Sequence, residues 1–232
     1  MNEILPRDEL EFREGDMPFS KRFGDHFYCK SDGRAECNHV FLNGNGLPEK
    51  WETTNVYSIG ELGFGTGLNF LETWRQWKLH RKPGAQLQFV SFEAYPMEVD
   101  AMKRSLSAWP EIAVEYAELE KQWPSLSKVP SVWQIDAQTS LTIVVADVLE
   151  GMRSWTGSCD AWYLDGFAPS KNPDMWSLDL LLELHDRTNE NGTFASYTAA
   201  GWVRRNLVDA GFDVRKIPGF AGKRDMIAGT RR

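Results

Sequence analysis

The sequence has little cysteine: Cys29, Cys37 and Cys159 are the only three in 232 residues. An odd, scattered trio offers no disulfide framework, so a reducing compartment is expected. Histidines number four, and His26, Cys29, Cys37 and His39 fall in the pattern H-x2-C-x7-C-x-H. That spacing matches no zinc-binding arrangement, and no metal is expected. Long apolar runs are also missing. The longest, Leu141 to Leu149, is broken by Asp147 and is far short of the roughly 20 residues of a membrane-spanning helix. Met1 to Leu10 carries Glu3, Arg7, Asp8 and Glu9 and has no apolar centre like that of a signal peptide. Repeats, low-complexity segments and a dividing linker are absent. Together these absences lead to the expectation of a soluble, cytoplasmic protein.

A general excess of positive charge is lacking too. Lys and Arg total 26 against 33 Asp and Glu, a formal charge of −7, which argues against a generic polyanion-coating protein. The distribution is uneven. From Gly201 onward eight basic residues face three acidic ones, so this stretch carries +5 and the first two hundred residues carry −12. With 42% hydrophobic and 25% charged residues, the composition is that of a globular chain able to bury its own core.

Residues 1–232 are expected to form a single domain, with 1–55 as an N-terminal extension and 56–232 as the core. Within 1–55 the turn signals are dense, and short strands or a hairpin are expected around Phe27–Cys29 and His39–Leu42. Beyond it, extended and helical patterns alternate. Strands are predicted at Val56–Leu62, Gln86–Phe92, Leu141–Ala146, Ala161–Leu164, Gly192–Tyr197, Phe212–Ile217 and Asp225–Ala228. Helices are predicted at Leu68–Leu79, Leu178–Asp186 and Trp202–Ala210. This alternation implies an α/β fold, a mostly parallel sheet with helices on both faces. A helix-like, proline-broken stretch near 95–138, with Ala101–Ala108 and Glu111–Leu119 helical, reads as a helical insertion that either shapes an entrance or covers the sheet. Most of the ten tryptophans, Trp74, Trp77 and Trp162 among them, read as core packing.

Glu61-Leu62-Gly63-Phe64-Gly65-Thr66-Gly67 lies where the first core strand turns into a helix. Such a turn needs residues free to take positive φ and a backbone bare enough for a ligand to lie against. A dinucleotide fingerprint requires glycine or alanine at position 68, where this chain has Leu68. The spacing G-x-G-x-G after an acid instead resembles the first motif of class I S-adenosylmethionine-dependent methyltransferases. Glu61 would repel a diphosphate but suits a ligand with an ammonium and a sulfonium. Glu93, ending the next strand, is placed to accept from ribose hydroxyls, and Asp147, ending a third, from an adenine amino group. For each acid, simple helix capping is the competing explanation. Thr66, Gly67 and Asn69 complete the expected cofactor set with Glu61, Gly63, Gly65, Glu93 and Asp147.

The run DAWYLDGFAPSKNPDMW (160–176) is the most distinctive in the chain. It has the form of the strand-four turn of amine-methylating enzymes, with Asp165 and Phe167 as catalytic candidates and the Gly166 carbonyl as a further acceptor. The competing explanation is that Pro169 and Pro173 shape a loop anchored by Trp176. Together with ELGFGTGLNFL (61–71), FVSFEAYP (89–96), Thr198–Leu207 and GFAGKRDM (219–226), it resembles the methyltransferase domain of MnmC-type enzymes over most of the chain from Phe41 onward.

The resemblance implies a class I, Rossmann-like methyltransferase fold and S-adenosyl-L-methionine as methyl donor. It implies N-methylation of 5-aminomethyl-2-thiouridine at the tRNA wobble position. Lys171, Asn172 and Trp176 of the strand-four motif, with Trp176 and Phe167 meeting a base or the adenine ring, and Arg204, Arg205, Lys223 and Arg224 of the basic tail are then the expected contacts to substrate and the anticodon stem-loop. Many family members carry a C-terminal FAD-dependent oxidoreductase for which this length leaves no room, so a separate oxidoreductase acting on the same tRNA is an expected partner. Two other readings remain open: methylation of a different amine, in a small molecule or protein, and a non-catalytic S-adenosylmethionine-binding module.

Overall fold

The computed structural model describes residues 5–232, so Met1–Ile4 of the N-terminal reading lie outside the described residues. The chain opens with three short antiparallel strands, β1 (Leu10–Arg13), β2 (Met17–Ser20) and β3 (Asp25–His26), which form a small sheet of their own. A continuous helical run follows. Helix α1 (Gly33–Glu36) begins where the Asp32 carboxylate accepts the Ala35 N–H at 3.0 Å, and it passes into a π-helical turn over Cys37–Leu42.

Two expectations fail in this segment. Phe27–Cys29 follows β3 without extending it, and His39–Leu42 is helical. Val40, Phe41 and Leu42 favour strands in isolation, but Cys37, Val40 and Phe41 fall at i, i+3 and i+4. In helical form they bury together against the core, and tertiary packing overrides local preference.

The main sheet has eight strands: β4 (Val56–Leu62), β5 (Gln86–Phe92), β6 (Ser131–Asp136), β7 (Thr139–Val144), β8 (Cys159–Leu164), β9 (Thr188–Ser196), β10 (Phe212–Pro218) and β11 (Asp225–Arg231). Their order is β10-β11-β9-β8-β4-β5-β7-β6. The five central strands are parallel, while β6, β11 and β10 join antiparallel. The stretch near 95–138 holds α3 (Val99–Leu106) and α4 (Ala113–Gln122), but it ends in β6, a strand the sequence reading passed over.

Helices α2 (Leu68–His80) and α4 pack on one face with the N-terminal helical run. On the other face lie α5 (Val148–Ser154), α6 (Leu178–Asp186) and α7 (Gly201–Asp209). Each face has its own apolar cluster: Ile59, Phe70, Trp77 and Phe89 in one, Trp162, Leu180, Phe194 and Leu207 in the other. Gly60 permits close strand packing, since a Cβ there would stand 2.2 Å from the Trp162 ring on β8. The chain leaves β4 first toward β5 and later returns to β8 on its other side. The carboxyl ends of β4 and β8 therefore flank the topological switch point, where open α/β sheets bind ligands.

Candidate functional site

At that switch point lies a cavity of about 1040 Å³, lined by the glycine loop, the ends of β5, β7 and β8, and the N-terminal segment. Its volume is at the upper end of the usual few hundred to about 1,000 Å³ for small-molecule sites. Gly63, Gly65 and Gly67 have φ of 88°, 54° and 79°, the left-handed region that glycine enters without penalty. A side chain at Gly65 would also crowd Phe27, whose ring carbon lies 3.2 Å from a Cβ built there.

Below the loop, Asn69 joins two acids. Its Nδ2 donates to Glu61 Oε1 at 3.1 Å and to Asp165 Oδ2 at 2.6 Å. Glu61 is fully buried, accepts a further hydrogen bond from Ser91 Oγ at 2.8 Å, and does not itself line the cavity. It reaches the site through Asn69. Burial pushes the Glu61 carboxyl up. Asp165 does line the cavity, and its pKa is raised to about 7. Burial is the main cause and the nearby Glu36 charge the second, opposed by the Asn69 hydrogen bond and Lys223.

Glu93 is held from two sides: Oε2 accepts the Gly65 N–H at 2.9 Å and Oε1 the Tyr95 N–H at 2.7 Å. Each carboxylate oxygen can accept more than one hydrogen bond, so both still have capacity toward the cavity. Asp147 caps α5, with Oδ1 accepting the Leu149 N–H at 3.0 Å, yet it also lines the cavity beside Val145, Ala146 and Val148. Capping and a place in the cavity coexist at this residue. Thr66 is buried in the lining.

Several residues of the site carry no local sequence signal. Phe23 stacks on Phe167 with ring centroids 4.7 Å apart, Phe27 meets the same ring edge-on at 5.2 Å, and Asp25 accepts the Ala168 N–H at 3.0 Å. The N-terminal segment is thus latched onto the strand-four turn. The Tyr197 hydroxyl donates to the Gly166 carbonyl at 2.8 Å, occupying one of its two acceptor positions. Glu36, from α1, lines the cavity and accepts from Lys223 Nζ at 3.3 Å. These contacts span 31 to 187 residues of sequence, and no spacing rule links their partners.

Not every expected contact lies in the cavity. Asn172 and Lys223 line it; Lys171, Arg204, Arg205 and Arg224 do not. Trp176 corrects the sequence reading: it is 1% exposed and packs in the core, and its indole N–H donates to the Phe167 carbonyl at 3.0 Å. An indole N–H buried with its partner anchors the turn and leaves no face for a base. Among the described residues, no group of three or more His, Cys, Asp or Glu could hold a metal ion.

Residues 110–232 match the model of the S-adenosyl-L-methionine-dependent methyltransferase family, a stretch that contains the strand-four turn but not the glycine loop. The chain is 42% identical over 232 residues to the tRNA 5-methylaminomethyl-2-thiouridine biosynthesis bifunctional protein MnmC of Chromohalobacter salexigens, covering 97% of this chain and 33% of that protein. It is 40% identical over 248 residues to the MnmC of Aliivibrio fischeri, covering 99% of this chain and 36% of that one. The chain therefore spans about a third of the length of these curated relatives. Among solved structures, MnmC2 from Aquifex aeolicus superposes with a TM-score of 0.75 at 23% identity, covering 98% of this chain and 72% of that chain, a likeness of fold.

Proposed function

The chain belongs to the S-adenosyl-L-methionine-dependent methyltransferase family, and from that premise we propose that it methylates the amino nitrogen of 5-aminomethyl-2-thiouridine at the tRNA wobble position, giving 5-methylaminomethyl-2-thiouridine. The observation that carries this reading is Asp165: a carboxylate in the cavity wall, oriented by Asn69 and poised near pH 7. The names of the relatives support the choice of acceptor. The reading treats residues 1–232 as one methyltransferase domain.

The lining fits S-adenosylmethionine. Gly63 and Gly65 leave the loop backbone bare toward the cavity beside Thr66, while Gly67, outside the lining, turns the chain into α2. Glu93 has acceptor capacity for ribose hydroxyls, Asp147 for an adenine amino group, and Val145, Ala146 and Val148 supply apolar wall. Glu61 holds Asn69 in place beneath the loop, and Asn69 supplies a polar group to the cavity there. When bound, this donor supplies a methyl carbon made electrophilic by its sulfonium.

An alkylamine with a pKa near 10, as in lysine, arrives protonated and without a free lone pair. Asp165 is placed to accept that proton and hold the amine for in-line attack, with the Gly166 carbonyl as a second acceptor and Phe167 as the packing surface. Lys171, Asn172, Lys223, Arg224, Arg204 and Arg205 are assigned to substrate and anticodon-stem phosphates. An FAD-dependent oxidoreductase acting on the same tRNA is the partner implied. The test is incubation of the protein and S-adenosylmethionine with tRNA lacking only this methyl, read by nucleoside mass spectrometry. Conversion to 5-methylaminomethyl-2-thiouridine is expected; an unchanged nucleoside with a folded, donor-binding protein would overturn the reading.

A further inference from the structure

The wall of the cavity carries an ion pair, Glu36 with Lys223, to which the donor contacts proposed above assign no role. Glu36 is 8% exposed, and its two carboxylate oxygens are divided between a fixed and an exchangeable partner. Oε2 accepts the Cys29 N–H at 2.9 Å, which anchors the side chain to the backbone of the N-terminal segment. Oε1 accepts from Lys223 Nζ at 3.3 Å. Lys223 arrives from the loop between β10 and β11. Its side chain is 46% exposed, and its ammonium lies 4.8 Å from the centroid of the Tyr197 ring. A primary alkylammonium therefore already occupies the wall of the cavity, on a buried carboxylate and beside an aromatic face. That is the same chemical group, CH2–NH3+, that a 5-aminomethyl base would bring.

We infer that Glu36 is the receptor for the incoming acceptor ammonium, and that Lys223 is an internal stand-in which the substrate displaces. The inference rests on the proposed amine methylation. Geometry and charge support it. Glu36 and Asp165 both line the cavity, and the Glu36 charge helps push the Asp165 carboxyl up. Lys223 bonds to Glu36 alone and only lowers the Asp165 carboxyl from a distance, so a single cation serves two acids of the cavity wall. The exchange is also inexpensive, because one ammonium replaces another on the same oxygen and the half-exposed lysine returns to water or to a phosphate.

The proton count closes. The ammonium docks on Glu36 and passes one proton to the Asp165 carboxylate. The free amine then forms the C–N bond as the C–S bond breaks, its electron pair remaining on sulfur. The product leaves as a secondary ammonium, and Asp165 returns its proton to solvent. Glu36 is on this account a specificity residue that holds the substrate before Asp165 acts.

The test compares binding of two anticodon stem-loops, one with 5-aminomethyl-2-thiouridine and one with plain 2-thiouridine, in the presence of S-adenosylhomocysteine. Their affinity ratio reads the effect of the amine and cancels the phosphate contacts common to both loops. Glu36→Gln keeps the acceptor for Cys29 N–H but loses the charge, and the ratio should fall about tenfold or more. Lys223→Met removes the competitor, and the ratio should rise. Opposite signs are the signature, since a purely structural ion pair would make both variants fail alike. An unchanged ratio in Glu36→Gln overturns the inference, as does a loss confined to donor binding, which would mean that Glu36 serves the donor's own ammonium. If the wild-type protein binds both stem-loops equally and methylates neither, the amine-methylation reading itself has failed.

Discussion

Asp165 shows how one side chain's surroundings set its chemistry. Burial and the Glu36 charge raise its pKa to about 7, far above the 3.8 of a free aspartate, while Asn69 and Lys223 limit the rise. A base must be ionised to take a proton, so methylation should fall as pH drops through about 7. Asp165→Asn should reduce turnover by about 100-fold or more, remove that acid limb from the pH–rate profile, and leave donor affinity within a few-fold. A variant that keeps a near wild-type rate would show that the proton leaves by another route. Stability follows with a definite sign. The folded pKa lies above the unfolded one, so between about pH 4 and 7 the folded state binds more protons and loses stability as pH rises. The gain in stability from Asp165→Asn should therefore be small at pH 4, grow toward pH 7 and level off, reaching at most about 4 kcal/mol at roughly 1.4 per unit of pKa. Thermal melts of both proteins across this range would measure it.

The glycine loop is the element most exposed to a single change. Gly65 combines a φ of 54° with a Cβ position 3.2 Å from Phe27, and its N–H fixes Glu93. Gly65→Val should cost about 1–2 kcal/mol for the left-handed backbone, lowering the melting midpoint by about 2–8 °C. Donor affinity by calorimetry should fall by more than tenfold, because the loop and Glu93 move together. Retained affinity would mean that the ligand does not lie on this loop. Elements of this kind were open to sequence reading because their signals are local. The β4 and β5 runs, VYSIGEL and QLQFVSF, are rich in β-branched and aromatic residues, and α6 starts after Ser177, which caps it. Strand β6 was hidden because its half-exposed SVWQID run follows a proline-broken stretch and pairs only at the sheet edge. Glu36, Tyr197 and Phe23 were hidden for a different reason. Their roles come from partners far away in the chain, at Lys223, Gly166 and Phe167, and no periodicity records such a pairing.

At the scale of the whole molecule, the basic tail is less free than its +5 suggests. Arg232 pairs with Asp213 and Lys216 with Asp225, Lys223 rests on Glu36, and Arg231 donates to the Thr188 carbonyl. Among the described residues, Arg204, Arg205, Arg215 and Arg224 form no ion pair, and they are the cations of the tail available to a polyanion at little cost. If each neutralises one RNA phosphate, log affinity for tRNA should fall against log salt with a slope of about −3 to −4, taking roughly 0.7–0.9 per contact. Arg204→Ala with Arg205→Ala should make the slope shallower by about 1.5–2 and weaken all tRNAs alike, since phosphate contacts position the nucleic acid without reading its sequence. The exchange at Glu36 would add a fifth contact if the released Lys223 turns to a phosphate. A stem-loop carrying the aminomethyl group should then show a slope steeper by about one than a loop without it, and Lys223→Met should erase that difference. Equal slopes for the two loops in the wild-type protein would place Lys223 on Glu36 throughout binding.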